Sequence, residues 1–288
     1  MKKVSFWIFF FFFSTSTFSQ VGGETVFQFL NLSSSSRQIA LGGEVLTLMD
    51  DVNQPIWNPS VINPELDRQL SINYASYLAG ISIGSASYAH VISRRFGTIH
   101  GSINYLNYGT LIEAGDIAVL YYSPYKPYSF TIVARNMGTQ IQSFDGTNEK
   151  LPFKVAIGGS YKLKYVPLKW HVTLDNLQQW NLAVPNPSNQ TSDLEGNVTE
   201  EKISFFTNAI RHIVVGAELF PESAINLRAG YNFRRASELK LQNARSFSGI
   251  SFGIGIKMNK FRFNYAFSKY HSASSSSTFS LQFDLDKR

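Results

Sequence analysis

From Gln69 to the C-terminus, apolar and polar residues alternate with a period of two. Ile225, Leu227, Ala229, Tyr231 and Phe233 alternate with Asn226, Arg228, Gly230, Asn232 and Arg234. Phe261, Phe263, Tyr265 and Phe267 alternate with Arg262, Asn264, Ala266 and Ser268. Phe279, Leu281, Phe283 and Leu285 alternate with Ser280, Gln282 and Asp284. Successive side chains of a strand point to opposite faces. Each run is therefore a strand with one greasy face and one small or polar face. The pattern predicts strands over 69–78, 81–92, 97–107, 116–123, 128–136, 153–164, 168–177, 210–220, 224–234, 247–258, 260–270 and 277–286. Soluble strands average about 5–6 residues, whereas crossing a bilayer takes about 9–11, and most of these runs meet the second length.

The connections alternate too. Tight turns at 94–96, 124–127, 165–167, 221–223 and 259 are interleaved with longer connections at 108–115, 137–152, 178–209, 235–246 and 271–276. Only Ala79-Gly80 is short on the long-loop side. Short turns on one rim and long loops on the other, with an even strand count, is the outer-membrane pattern, the short turns being periplasmic. Tyrosines and Trp170 gather near strand ends, as an interfacial girdle does, although strands favour Tyr in any setting.

Residues 20–68 read differently. Ile39, Ala40, Leu41, Val45, Leu46 and Leu48 suggest one or two helical turns broken by Gly42-Gly43, and 50–64 is rich in Asp, Asn and Pro. No wall strand is expected there. Before it, Lys2 and Lys3 precede an apolar run, Val4 to Phe13, and the close Thr17-Phe18-Ser19-Gln20 suits a signal peptidase cutting after Ser19. The run is shorter than the roughly 20 residues of a membrane-spanning helix. The expected organisation is a signal peptide over 1–19, a plug segment over 20–68 and a barrel over 69–288.

Composition narrows the class. There is no cysteine, which removes disulfides, thiol catalysis and cysteine-ligated metals. Aromatics reach 15% while charged residues are only 16%, against roughly 25% in soluble domains. The net charge of +6 is scattered, with Arg94-Arg95 and Arg234-Arg235 the only Arg pairs, so nucleic acid is not an expected partner. An exported, aromatic-rich chain without membrane helices is left with the closed barrel in outer-membrane lipid.

Candidate chemistry is thin. Gly253-Ile254-Gly255 lies mid-strand with no helix after it, so these glycines make room inside the barrel rather than cradle phosphate. His100 and Ser102 share a strand face but have no evident third residue to orient a base. His171 and Asp175 also share a face and are too few for a metal. Arg228, Arg234, Arg262 and Lys257 fall on polar faces, where internal ion pairs are favoured over an anion path. The 178–209 loop carries Trp180, Pro185, Pro187, Leu194, Phe205 and Phe206 and is long enough to be functional; it is the candidate partner contact, with a simple lid as the other reading. No catalytic, cofactor or metal site is expected, and so no enzyme.

Several short motifs together resemble a known family. Gly22-Gly23-Glu24-Thr25-Val26-Phe27-Gln28-Phe29-Leu30-Asn31-Leu32 is followed by Ser36-Arg37-Gln38-Ile39-Ala40-Leu41-Gly42-Gly43, Asp50-Asp51-Val52-Asn53-Gln54 and Trp57-Asn58-Pro59. Downstream come Arg135-Asn136-Met137-Gly138-Thr139-Gln140, Ala217-Glu218-Leu219-Phe220-Pro221 and Gly230-Tyr231-Asn232-Phe233-Arg234-Arg235. Their order resembles PorQ, an outer-membrane component of the type IX secretion system of Bacteroidota. It is also similar to the plug of PorV and FadL-like barrels, where an Asn-Pro step, here Asn58-Pro59, precedes the first strand. The resemblance implies a FadL-like fold with 14 strands. PorQ-like chains are longer, and this one lacks about two strands' worth of sequence near 109–129, which leaves 12 in a ring that is still able to close. It further implies an attachment complex with a PorZ-like surface protein, a PorU-like sortase and a PorV-like barrel, which transfers cargo onto lipopolysaccharide. The alternative is a FadL-like channel for hydrophobic solutes.

Overall fold

A computed structural model describes residues 28–76, 82–93, 97–106, 112–140, 151–183, 191–192, 198–199, 203–239, 247–271 and 274–285. The expected signal over 1–19 and the turns at Ala79-Gly80 and Arg94 to Phe96 lie outside them. Twelve strands form one antiparallel sheet: β1 Gln69–Ser76, β2 Ser82–Ser93, β3 Gly97–Leu106, β4 Ile112–Tyr121, β5 Tyr128–Gln140, β6 Lys154–Lys162, β7 Leu168–Leu174, β10 Ile213–Leu219, β11 Ile225–Asn232, β12 Ile250–Lys257, β13 Phe261–His271 and β14 Ser274–Asp284. A small hairpin, β8 Thr191–Ser192 and β9 Val198–Thr199, belongs to the long loop. The sheet order is β3-β2-β1-β14-β13-β12-β11-β10-β7-β6-β5-β4, so the first strand pairs with the last and the two edges are β3 and β4.

Burial along the strands is inverted relative to a soluble protein. In β14, Ser276, Thr278, Ser280 and Gln282 are buried while Phe279 and Leu281 are exposed. In β5, Ser129, Thr131, Val133 and Arg135 are buried while Phe130 and Ile132 are exposed. A sheet with its apolar face outward on every wall strand suits lipid and would aggregate in water. Among the described residues no helix is long and apolar enough to cross a membrane.

The sheet is rolled around the N-terminal segment. From Ser34 to Val61 that segment reaches every strand. Hydrogen bonds run from Ser34 to Ser85 of β2, Ser36 to Ser280 of β14, and Arg37 to Glu218 of β10. Others join Ala40 to Ser251 of β12, Thr47 to His171 of β7, and Val52 to His100 of β3. Asn53 bonds Ser71 of β1, Asn58 bonds Thr131 of β5, and ion pairs reach Lys154 of β6 and Arg262 of β13. The turn Pro59–Val61 lies against β4, and Leu41-Gly42 lies on Gly230 of β11. One short segment touches all twelve strands only if they form a cylinder about it. The chain is therefore a transmembrane antiparallel β-barrel with its N-terminal segment as plug.

The apolar core is correspondingly small and belongs to the plug. Leu46 and Trp57 meet Val133 and Ala156; Ile39 and Ala40 meet Ala266; Val52 and Leu66 meet Ala89; Leu41, Val45 and Leu48 meet one another. The closest approach is at Gly230, where a Cβ would lie 2.1 Å from the nitrogen of Gly42, itself at φ +103°. Neither position tolerates a side chain.

Several boundaries differ from those expected. β4 begins at Ile112 rather than 116, and β7 ends at Leu174 rather than 177. Two helices replace predicted strand ends: α2, Phe205–Arg211, precedes β10, and α3, Phe233–Glu238, follows β11. Each has a side-chain cap, Ser204 accepting from the Thr207 N–H at 3.1 Å and Asn232 from the Arg235 N–H at 2.9 Å. Such caps satisfy otherwise unpaired first-turn N–H groups, so the local chemistry overrides the period-two pattern. The short helix α1, Ser36–Ala40, sits where helical turns were expected. The ring closure expected between β3 and β4 is not made: no ladder joins them among the described residues.

Candidate functional site

The plug is fastened by a buried charge network centred on Glu218. Arg37 donates through Nε to Oε2 at 3.0 Å and through Nη2 to Oε1 at 3.1 Å, a two-pronged grip on the carboxylate. Arg228 Nε reaches Oε2 at 3.2 Å, and His171 Nε2 lies 3.0 Å from Oε1. The other ring nitrogen of His171 lies 2.9 Å from the Thr47 hydroxyl, back on the plug. Arg37 also meets Asp50 at 2.9 Å, and Arg262 stands 3.6 Å from the same carboxylate. The side chains of Glu218 and His171 are fully buried, so each charge depends on its neighbours. Burial alone would lower the Arg37 pKa, but Asp50 and Glu218 outweigh it and raise it, keeping the guanidinium charged. Asp50 mirrors this: burial opposes its charge, yet Arg37 and Arg262 hold its carboxyl below the usual range.

A second cluster ties the plug to β6 and the outer loop. Lys154 Nζ meets Glu44 at 3.0 Å and Asp175 at 2.8 Å. Burial, reinforced by Asp175, pushes the Glu44 carboxyl above its ordinary value, and Lys154 only partly offsets this. The Arg135 guanidinium sits over Trp57, 4.0 Å from the ring centroid. A third cluster is uncharged except for Asp51, which accepts from the Asn53 N–H and from Asn53 and Gln282 side-chain amides. The Asn58-Pro59 step closes this run of anchors. Asn58 donates to Leu46 O at 2.7 Å and Thr131 Oγ1 at 3.1 Å, while its own oxygen caps the 3-10 turn Pro59–Val61 by accepting from Ser60 N–H.

On the long-loop rim, Trp180, Phe205 and Phe206 are brought together. Trp180 stacks on His212 at 5.2 Å and meets Phe205 at a tilt at 5.0 Å, and Phe206 meets Phe205 edge-on at 6.0 Å. Both ring nitrogens of His212 face main-chain oxygens, Asp175 O at 2.6 Å and Trp180 O at 3.0 Å. Asn208 adds contacts to Trp180 O and accepts from the Leu182 and Ala183 N–H groups. The loop's two ends are thereby tied down, while Phe205 and Phe206 remain 66% and 76% exposed. Pro185 and Leu194 lie outside the described residues.

The remaining candidates separate. His171 and Asp175 do not form one site: the first belongs to the Glu218 network and the second to Lys154. His100 contacts the Val52 carbonyl at 2.8 Å, which ties β3 to the plug. Arg228 and Arg262 make the internal ion pairs expected of them. Arg234 does not line the lumen: it sits on α3 and pairs with Glu238 on the surface. Lys257 is exposed in the described structure and lies at the short-turn rim. Gly253 does make room, since a Cβ there would lie 2.4 Å from that of Ala40. The residues that sequence reasoning missed are Arg37, Glu44, Lys154 and Glu218. Glu218 had a signal, being an acid on the inward face of a wall strand, which is costly unless paired.

No family model matches this chain, and no curated protein matches it. Among solved structures, the Ralstonia pickettii toluene transporter TbuX is similar at 8% identity over 88% of this chain and 99% of that chain, with a TM-score of 0.45. The Acinetobacter baumannii outer membrane protein Omp33 is similar at 9% identity over 76% of this chain and 99% of its own, TM-score 0.36. The outer membrane phospholipase A from Escherichia coli follows at 9% over 86% and 98%, TM-score 0.34. Likeness at this level says nothing of what this chain does. Its membrane-spanning character rests on its own rolled sheet, apolar outside and polar within.

Proposed function

We propose that this chain is a non-enzymatic outer-membrane protein that holds a surface partner through its extracellular loops, as part of a type IX attachment complex. The observation that carries the anchoring role is the plug. It runs through the barrel, reaches every strand and is locked by the buried Arg37–Glu218–Arg228 network, which suits a fixed scaffold better than a conduit. The ordered motifs from Gly22 to Pro59 and onward supply the partners: a PorZ-like surface protein held beside a PorU-like sortase and a PorV-like barrel. The exposed aromatic group of Trp180, Phe205 and Phe206 is the contact, because large aromatics in a braced setting provide most binding energy at protein interfaces.

Native complexes drawn from detergent-solubilised membranes test this. Recovery of a PorZ-like partner with the intact chain, and its loss when 178–209 is deleted, is the expected result. Failure of the intact chain to bring down any such partner contradicts the role. A second reading is favoured by one feature: the unpaired β3 and β4 edges offer a lateral way into the barrel, as a channel for hydrophobic solutes requires. Uptake of labelled long-chain fatty acid into proteoliposomes bearing this chain would support that reading instead.

A further inference from the structure

His212 is held in a way that only one protonation state satisfies. It is buried at the long-loop rim, where α2 ends and β10 begins. Its Nδ1 lies 2.6 Å from the Asp175 carbonyl oxygen and its Nε2 lies 3.0 Å from that of Trp180. A main-chain carbonyl only accepts, and a neutral imidazole carries one N–H. The neutral ring therefore sets a lone pair against one of the two oxygens, which is costly in a buried place. The imidazolium donates to both.

The surroundings weigh on the charged ring from several sides. The Trp180 ring stacks on it at 5.2 Å, a face that attracts a cation. His212 also ends α2, where positive charge is favoured. Burial and the adjacent Arg211 oppose the charge. The Asp175 carboxylate is turned to Lys154, which also holds Glu44. Residues 176–183 carry no charged side chain. From α3, which packs on α2, come Arg234, paired with Glu238, and Arg235, bonded to Ser268 and to the Gly42 carbonyl. The same ring spans three pieces of the rim: the end of β7, the start of the long loop at Trp180, and α2 with its exposed Phe205 and Phe206. We infer that His212 is a protonation latch: as the imidazolium it fastens Trp180, and through it Phe205, to the rim, and on losing a proton it releases this aromatic group. Its consequence for binding rests on the reading of that group as the partner contact, and is that the partner is held on the acid side of the transition.

The chain has no cysteine, so a single label reports cleanly. Phe206→Cys carries a bimane, a fluorophore that a nearby tryptophan quenches, in the full chain in proteoliposomes. Emission is followed from pH 5 to pH 8, the range in which histidine ordinarily changes charge. Quenched emission at pH 5, rising in one single-proton step toward pH 8, is expected. The step should vanish in His212→Gln and in Trp180→Phe, and persist in Glu44→Gln. A flat profile in the labelled chain, the same step in His212→Gln, or its loss in Glu44→Gln overturns the inference. If His212→Gln does not fold, the unsubstituted chain with 15N-labelled histidine decides: one buried ring that keeps two exchange-protected N–H protons at pH 5 and one at pH 8 supports the latch, and its absence overturns it. Partner recovery at the two pH values is a separate arm. Recovery at pH 5 that falls at pH 8 supports both readings, whereas no recovery at either pH with the fluorescence step intact supports the latch and counts against the anchoring role alone.

Discussion

Glu218 is the residue on which the plug's attachment converges. It faces Arg37 from the plug, Arg228 from β11 and His171 from β7, all buried. Removing one partner of a buried ion pair strands the others, at a cost of about 3–5 kcal/mol. Glu218→Gln is therefore expected to lower the unfolding free energy read from urea denaturation by an amount in that range, moving the midpoint down, and to expose the N-terminal segment to protease while the wall stays folded. An unchanged midpoint would show that the network is not what holds the plug. The pH dependence has two opposing parts. Asp50 has a lowered folded pKa, so its contribution is present above the ordinary carboxylate range and is lost as pH falls through the folded value. Glu44 has a raised folded pKa, so its contribution is present below the ordinary range and is lost as pH rises through the folded value. Glu44→Gln leaves Lys154 with Asp175 and should remove the loss on the rising side; Asp50→Asn should flatten the acid side. Protease release of the plug measured against pH checks both, and identical profiles for wild type and Glu44→Gln would contradict the first. Little of this was legible in advance. Arg37 and Glu218 are 181 positions apart, and strand pattern names the face a residue takes but not what meets it across the lumen.

At the scale of elements, the strands were the legible part. Runs such as Ile225 to Tyr231 or Phe279 to Phe283 place small and polar residues opposite large apolar ones, and the register follows that alternation. The pattern misled where it ran past a cap. Phe233 and Arg234 continue the alternation of β11, yet Asn232 starts a helix there. Ser204 does the same before β10. Two element-level outcomes are expected. Gly230→Leu drives a side chain into the Leu41-Gly42 backbone, where even a Cβ has no room, so the plug should be expelled and become protease-sensitive while wall strands persist by circular dichroism; a protected plug would contradict the close approach. Trp180→Ala removes the stack on His212 and the tilted contact with Phe205. It should abolish partner recovery and leave the thermal unfolding of the wall unchanged, since none of these rings packs into the plug. Retained recovery would remove the aromatic group from the binding role.

For the whole molecule, strand number and the in–out sense of the wall followed from periodicity, and the plug from its lack of strands. The absence of a β3–β4 ladder among the described residues did not follow from the alternation, although β4 has a register shift between Gly115 and Ile117 and lies in the 109–129 stretch where the resemblance implied missing sequence. The central claim is a lipid-embedded barrel closed along its axis by its own N-terminal segment. Ionic conductance across a planar bilayer tests it most directly. The intact chain is expected to insert without steady current, and Glu218→Gln or Gly230→Leu to give open-channel steps as the plug leaves. A steady current through the intact chain, unchanged by either substitution, would contradict the plugged barrel.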